Sequence, residues 1–429
     1  MKESKDGGTA NGVGVQRGIG RISIGKQTFR SFTNPVYRLY FVAMVGYMAP
    51  MNMAILARSL LVYRITGSAA ILGLISLAFA VPMLCLSPFG GVIADRISKK
   101  RVIVAGTVGE GLVSLFIALA LTLGYLSPER PGSWWILAVA GAVQATIMAL
   151  ILPSRVAIVP EIVGREELMN AVSLNTMNMN ALRMLAPALA GFLIESVGFD
   201  ILYYIMTGCY AMGAVLFSFL PLIGAMAAPG PSVLSRVKEG VSYIRHNATI
   251  FSILLYAIFA VVLTMPYQML MPVFTEDILV VGATGLGILM SVSGGGAIIG
   301  SFILASMPNK KRGLIFLAGN LVQSLALMGI FFSGSWPLSL ALVPFVGLGD
   351  TVRMALTNTL LQYYTEEEYR GRVISIFTMQ FGLMGFGALG AGLLAEAVGV
   401  QWAVGGLAAI LVPVTLLAIA FVPRLRRLD

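Results

Sequence analysis

Three charged residues stand where an apolar sequence leaves them no water. Arg183 lies near the middle of one apolar stretch, and Asp350 and Arg353 lie near the middle of another. Residues three apart share a helix face, so the last two can pair. An unpaired ion in hydrocarbon is costly, so such groups face a polar cavity or one another. Two chemistries follow. The three residues could line a central chamber and hold the polar part of a bound molecule. Asp350 could also take up and release a proton if its surroundings favour the neutral form, whereas a neighbouring arginine would keep it ionised as a permanent buried ion pair. Glu110, inside a further apolar stretch, is a competing proton carrier. Arg58 and Arg155 occupy similar settings, where a structural or gating role outweighs direct contact with cargo.

Uncharged polar residues form a second ring of candidates for the chamber: Gln144, Asn175, Asn178 and Asn180 in the first half, and Tyr267, Gln268, Asn358 and Gln380 in the second. The run from Asn175 to Asn180 spreads around a helix, so not all of it can face one chamber. Met48, Met51, Met53, Met265, Met269 and Met271 offer adaptable apolar contact, within a chain whose 23 methionines mostly serve packing.

Other chemistries find little support. The single histidine, His246, and the two cysteines, Cys85 and Cys209, form no metal-ligand or nucleophile pattern. Glycines 294–296 lack the Lys and Ser or Thr of a phosphate loop. The expectation is therefore no metal, no cofactor and no enzymatic reaction, with energy drawn from an ion gradient, the membrane potential or the cargo's own gradient.

These residues need a scaffold that excludes water. Hydrophobic residues make up 58% of the chain and charged ones 11%, with a mean hydropathy of +0.88. About a dozen apolar stretches are each long enough to span a bilayer. They fall near 37–62, 68–94, 102–126, 134–160, 171–197, 201–222, 250–272, 284–306, 313–333, 336–363, 373–397 and 401–422. Backbone groups in hydrocarbon must be satisfied internally, and the runs are too long and unbroken for barrel strands, so an all-α polytopic membrane protein is expected.

Lys and Arg cluster on alternate connections: in the tail before residue 35, at 96–101, 236–245, 310–312, 370–372 and 424–427. The opposite connections hold only Arg64 and Arg130, together with Glu129, Asp200, Glu276 and Asp277. Both termini and the linker should therefore be cytoplasmic, and the net charge of +10 is a topology signal rather than a nucleic-acid footprint. The expected organisation is a basic tail over 1–35, a six-helix bundle over 36–222, a partly helical linker over 223–249, a second six-helix bundle over 250–422 and a short tail over 423–429.

The halves resemble each other. The segment from Glu166 to Gly198 is matched 201 residues later by the segment from Glu367 to Gly399, and both contain Ala-Gly followed shortly by Glu. Two similar bundles can rock about a central site, as alternating access requires.

The loop Gly91-Val92-Ile93-Ala94-Asp95-Arg96-Ile97-Ser98-Lys99-Lys100-Arg101 resembles the cytoplasmic loop motif of the major facilitator superfamily, with Ser98 in place of the second glycine. The resemblance covers about 35–422. It implies that Gly91, Asp95, Arg96, Lys99, Lys100 and Arg101, with Arg155 nearby, form a cytoplasmic gate, the Asp95 equivalent lying near the start of the eleventh helix. Arg183 to Gly191, including Ala186, Pro187, Ala190 and Gly191, is similar to the helix-bending segment of family exporters. The stretch from Leu152 to Asn175, with Arg370 to Val373, looks like the bacterial branch of enterobactin exporters, macrolide exporters and other transmembrane secretion effectors. The resemblance implies the major facilitator fold with twelve transmembrane helices, in a bacterial inner (cytoplasmic) membrane. It also implies an antiporter that exports amphipathic small molecules of drug or siderophore type, with protons as the coupling ion and membrane lipids as surroundings. The sequence is compatible with a monomer. A lysophospholipid or other lipid transporter, and a non-transporting membrane sensor or assembly protein, are the alternatives.

Overall fold

The computed structural model describes residues 30–221, 233–307 and 310–428. Within them the chain is helical almost throughout: α1 (Pro35–Thr66), α2 (Ala69–Arg96), α3 (Lys99–Thr122), α4 (Trp134–Ser218), α5 (Val233–His246), α6 (Ala248–Thr264), α7 (Tyr267–Val273), α8 (Gly282–Ser306), α9 (Arg312–Ser333), α10 (Trp336–Tyr364), α11 (Glu367–Thr378), α12 (Gln380–Val398), α13 (Gly406–Phe421) and α14 (Pro423–Arg426). Among the described residues, 11 helical runs are long and apolar enough to cross a membrane.

Local signals set the ends. Asn34 caps α1 by accepting from the amides of Val36 and Tyr37, Pro35 opens the first turn, and Gly67 closes the helix at φ 62°. Helix α4 runs without a loop through two backbone breaks, at Gly164 (φ 71°) and Gly198 (φ 90°). The sequence places two stretches, 171–197 and 201–222, where the structure has one 52-residue run, Glu167–Ser218. Laid straight at about 1.5 Å per residue, that run would measure about 78 Å, against a hydrocarbon core of about 30 Å. Gly198 redirects the chain within that run with no residues spent on a connection, because glycine adopts the left-handed φ without strain.

Small residues let the helices approach closely, as membrane helices do when packing rather than water drives association. A Cβ on Gly191 would lie 2.3 Å from the carbonyl oxygen of Ala283, and one on Gly287 2.5 Å from that of Pro187, so α4 and α8 touch backbone to backbone. The same holds for α2 and α12 at Gly73 and Gly392, and for α8 and α10 at Gly296 and Gly347. Helix α5 docks on α11, where Tyr243 stacks on Tyr369 at 4.3 Å and Arg372 pairs with Glu239 at 3.0 Å.

The turns after α1, near Gly198, before α8, after α9 and after α12 gather at one end of the molecule, which we call the far end. Tyr63 donates to Asp277 there, Arg64 pairs with Glu276 at 2.9 Å, and Gly334 approaches Ile278 and Gln401. The described chain ends, at the starts of α1 and α9 and after α13, lie at the opposite end, where the Gly313 amide donates to the Leu428 carbonyl.

Candidate transport site

Asp350, buried on α10, accepts from two guanidinium groups. Arg353, one turn along the same helix, reaches one carboxylate oxygen at 2.5 Å, and Arg183, from α4, reaches the other at 3.0 Å. The spacing of three residues places Asp350 and Arg353 side by side, while the third partner lies 167 residues away and comes from the other half of the sequence. The environments differ sharply: the side chains of Asp350 and Arg353 are 7% and 3% exposed, that of Arg183 47%.

Arg183 lines an open cleft whose unfilled space, counted together with the part open to the surroundings, is about 570 Å³. Its polar wall is built by Asn52 of α1, Tyr267 and Gln268 of α7, and Ser293 of α8. Its apolar wall includes Ile55, Met271, Leu289, Met290 and Val343. Residues from both sequence halves therefore enclose one space at mid-depth. Polar groups at a few points on an apolar wall are the chemistry that orients an amphipathic molecule.

A second polar cluster lies inside the first half. Arg58 Nη1 donates to Gln144 Oε1 at 2.9 Å, and buried Glu110 lies beside the Gln144 amide within electrostatic reach of Arg58 and Arg155. The Arg58 guanidinium also sits 5.2 Å from the Phe79 ring centre, and that of Arg155 4.4 Å from the Tyr47 ring centre. Arg155 Nη2 also approaches the Met48 sulfur at 3.7 Å.

The sequence candidates thus separate. Arg183, Asp350, Arg353, Tyr267 and Gln268 come together around the cleft. Gln144 joins Arg58 and Glu110 instead. Asn178 is buried on α4 with its amide nitrogen lacking a partner, and Asn175 is half-buried one turn earlier. Asn358 accepts from Gln362 at 2.7 Å toward the end of α10, and Gln380 approaches the Met354 sulfur at 3.7 Å beside a small crevice lined by Leu254 and Phe377. In the gate motif, Lys99 pairs with Glu161 at 2.5 Å, Lys100 is half-buried, and Arg96 and Arg101 are exposed. The side chain of Asp95 and the surroundings of Gly91 lie outside the described residues. Ala186, Pro187, Ala190 and Gly191 sit where α4 meets α8, and the Ala188 amide there donates to Ser291 Oγ at 3.0 Å.

Several cleft residues carry no sequence signal of their own. Ile55, Leu289, Met290 and Val343 read as ordinary apolar helix positions. Ser293 stands beside glycines 294–296, a run that reads as helix packing.

A backbone of long apolar helices around a mid-depth polar cleft defines a class: polytopic carriers that pass a solute through the membrane. The Major Facilitator Superfamily model matches residues 39–385, and again 267–429. The chain belongs to that superfamily and is a multi-pass secondary transporter of small molecules, not an enzyme. It is similar to the enterobactin exporter EntS of Shigella boydii, 27% identical over 406 residues that cover 89% of this chain and 87% of the relative. It is also similar to macrolide efflux protein A of Streptococcus pyogenes, 23% identical over 347 residues covering 78% of this chain and 83% of the relative. Among solved structures, a bacterial homologue of the human lysosomal transporter Spinster shares the fold, with a TM-score of 0.69, 14% identity and 93% and 98% of the two chains covered.

Proposed function

We propose that the protein exports amphipathic small molecules of drug or siderophore type by alternating access, driven by proton antiport across a bacterial inner membrane. In this reading the run Glu167–Ser218 crosses twice, giving twelve spans in two six-helix bundles, over 36–222 and 250–422, joined by the linker over 223–249. The basic chain ends and linker face the cytoplasm. The observation that carries the proposal is the meeting of Arg183 and Asp350 at 3.0 Å beside the cleft, because the two residues come from opposite halves. A site shared between two moving bodies can be exposed first to one face and then to the other. The efflux-type names of relatives such as EntS and macrolide efflux protein A support the outward direction.

Protonation of Glu110 or Asp350 would bias the equilibrium between the two forms. Purified protein in proteoliposomes tests this: an imposed pH gradient should drive cargo accumulation, and collapsing it at fixed membrane potential should abolish that accumulation. Transport unchanged by the collapse overturns proton coupling.

A further inference from the structure

The cleft and the ion cluster behind it hold more guanidinium than carboxylate. Both oxygens of Asp350 are engaged, one by Arg353 at 2.5 Å and one by Arg183 at 3.0 Å. Arg353 is buried against that carboxylate, while Arg183 touches it through a single terminal nitrogen, keeps 47% of its side chain exposed and lines the cleft. Asn52, Tyr267, Gln268 and Ser293, the polar groups that share the wall, are neutral, and no acid lines the cleft among the described residues. The surplus recurs in the first half, where Arg58 and Arg155 surround the single acid Glu110.

We propose that the cargo is an amphipathic anion bearing a carboxylate, and that Arg183 binds that group. The proposal rests on the cleft being the cargo site. One unmatched positive charge in a water-poor space attracts an anion and repels a cation of the same shape, so charge sets the selectivity. A guanidinium already held by Asp350 on one side presents its remaining donors in a fixed plane, the geometry that suits a carboxylate. Met271, Leu289, Met290 and Val343 then receive the apolar body, the methionines adapting to its outline.

The test uses the full chain in a neutral maltoside detergent with two probes of one apolar body and opposite charge, dansyl-6-aminohexanoate and dansylcadaverine. Fluorescence titration should show the anion bound at least about tenfold more tightly. Arg183→Gln should weaken anion binding by about tenfold and leave the cation unaffected, and Arg183→Lys should retain part of the preference. Equal affinities, preference for the cation, no saturable anion binding, or an unaffected Arg183→Gln variant would each overturn the proposal. Proteoliposomes separate its failure from that of the export reading. Arg183-dependent anion binding without gradient-driven movement would fell the export reading alone, whereas gradient-driven movement of the cation alone would fell the anion proposal alone.

Discussion

Glu195 and Glu396 occupy matching places in the repeat, and each carboxylate caps the first turn of a helix in the opposite half. Glu195 accepts from the Ala283 amide at 2.8 Å and the Thr284 hydroxyl at 3.0 Å, at the start of α8. Glu396 accepts from the Ala70 amide and the Ser68 hydroxyl, both at 3.0 Å, at the start of α2. An acid at a helix N-terminus satisfies a free amide and complements the helix dipole. The far end is therefore held shut by two equivalent latches. Glu195→Gln and Glu396→Gln should each weaken this closure by about 0.5–1 kcal/mol, a shift of about two- to fivefold in the closed-to-open ratio. Spin labels at Val280→Cys, exposed at the far end, and at Arg130→Cys, exposed in the turn after α3, whose Thr122 hydroxyl meets that of Tyr204 just past Gly198, in a background with Cys85 and Cys209 replaced, should report a larger long-distance population in each variant and more in the double. An unchanged distance distribution would refute the latch.

Gly287→Ala should force the same seam apart by sterics rather than charge. The new Cβ would lie 2.5 Å from the Pro187 carbonyl oxygen, and backbone cannot yield as a flexible side chain can. The expected penalty on the closed form is about 1–3 kcal/mol. Gly295→Ala is the control, since its nearest neighbour would be the Met184 sulfur at 3.8 Å. The spin-label pair should open in the first variant and not in the second.

Asp350→Asn should be among the most destabilising single changes in the second half. It leaves Arg353, 3% exposed, as a buried cation without its carboxylate, at a cost of about 3–5 kcal/mol. Replacing both buried partners, with Asp350→Leu and Arg353→Met, should recover much of that loss, because the one cation left without its carboxylate, Arg183, is half exposed. Arg183→Gln should cost far less, its side chain being half exposed. Thermal unfolding in detergent checks the order; equal losses in all three would contradict it.

Glu110→Gln should separate exchange from accumulation. The substitution preserves shape beside Gln144 and removes the titratable group, so cargo counterflow should persist while accumulation driven by a pH gradient falls by about tenfold or more. If accumulation survives in Glu110→Gln, Asp350 is left as the group that exchanges the proton.

Much of this arrangement is legible in the chain itself, for a physical reason. Membrane helices need long unbroken apolar runs, so spans such as 313–333 and 336–363 lie close to α9 (Arg312–Ser333) and α10 (Trp336–Tyr364). Charge in such a run is conspicuous, which is why Arg183, Asp350 and Arg353 stand out. Pairings between helices are another matter. Gln144 is no different in sequence from Gln268, yet one meets Arg58, 86 residues away, and the other faces the cleft. That distinction depends on helix rotation, which an all-round apolar helix does not encode through any polar face. Glu195 and Glu396 stand out as part of the repeat, but the amides they meet belong to helices whose juxtaposition no local pattern records.

The interlock of α8 with α10 through Gly296 and Gly347 bears on how a solute would leave. In the two-bundle reading proposed above, Ser293 on α8 and the Asp350–Arg353 pair on α10 belong to one block and Arg183 to the other. Parting the blocks would not gradually loosen a grip; it would carry away one wall of the binding chamber whole. Occupancy should accordingly fall in a single step as the molecule changes form, with no intermediate of half-strength affinity along the way.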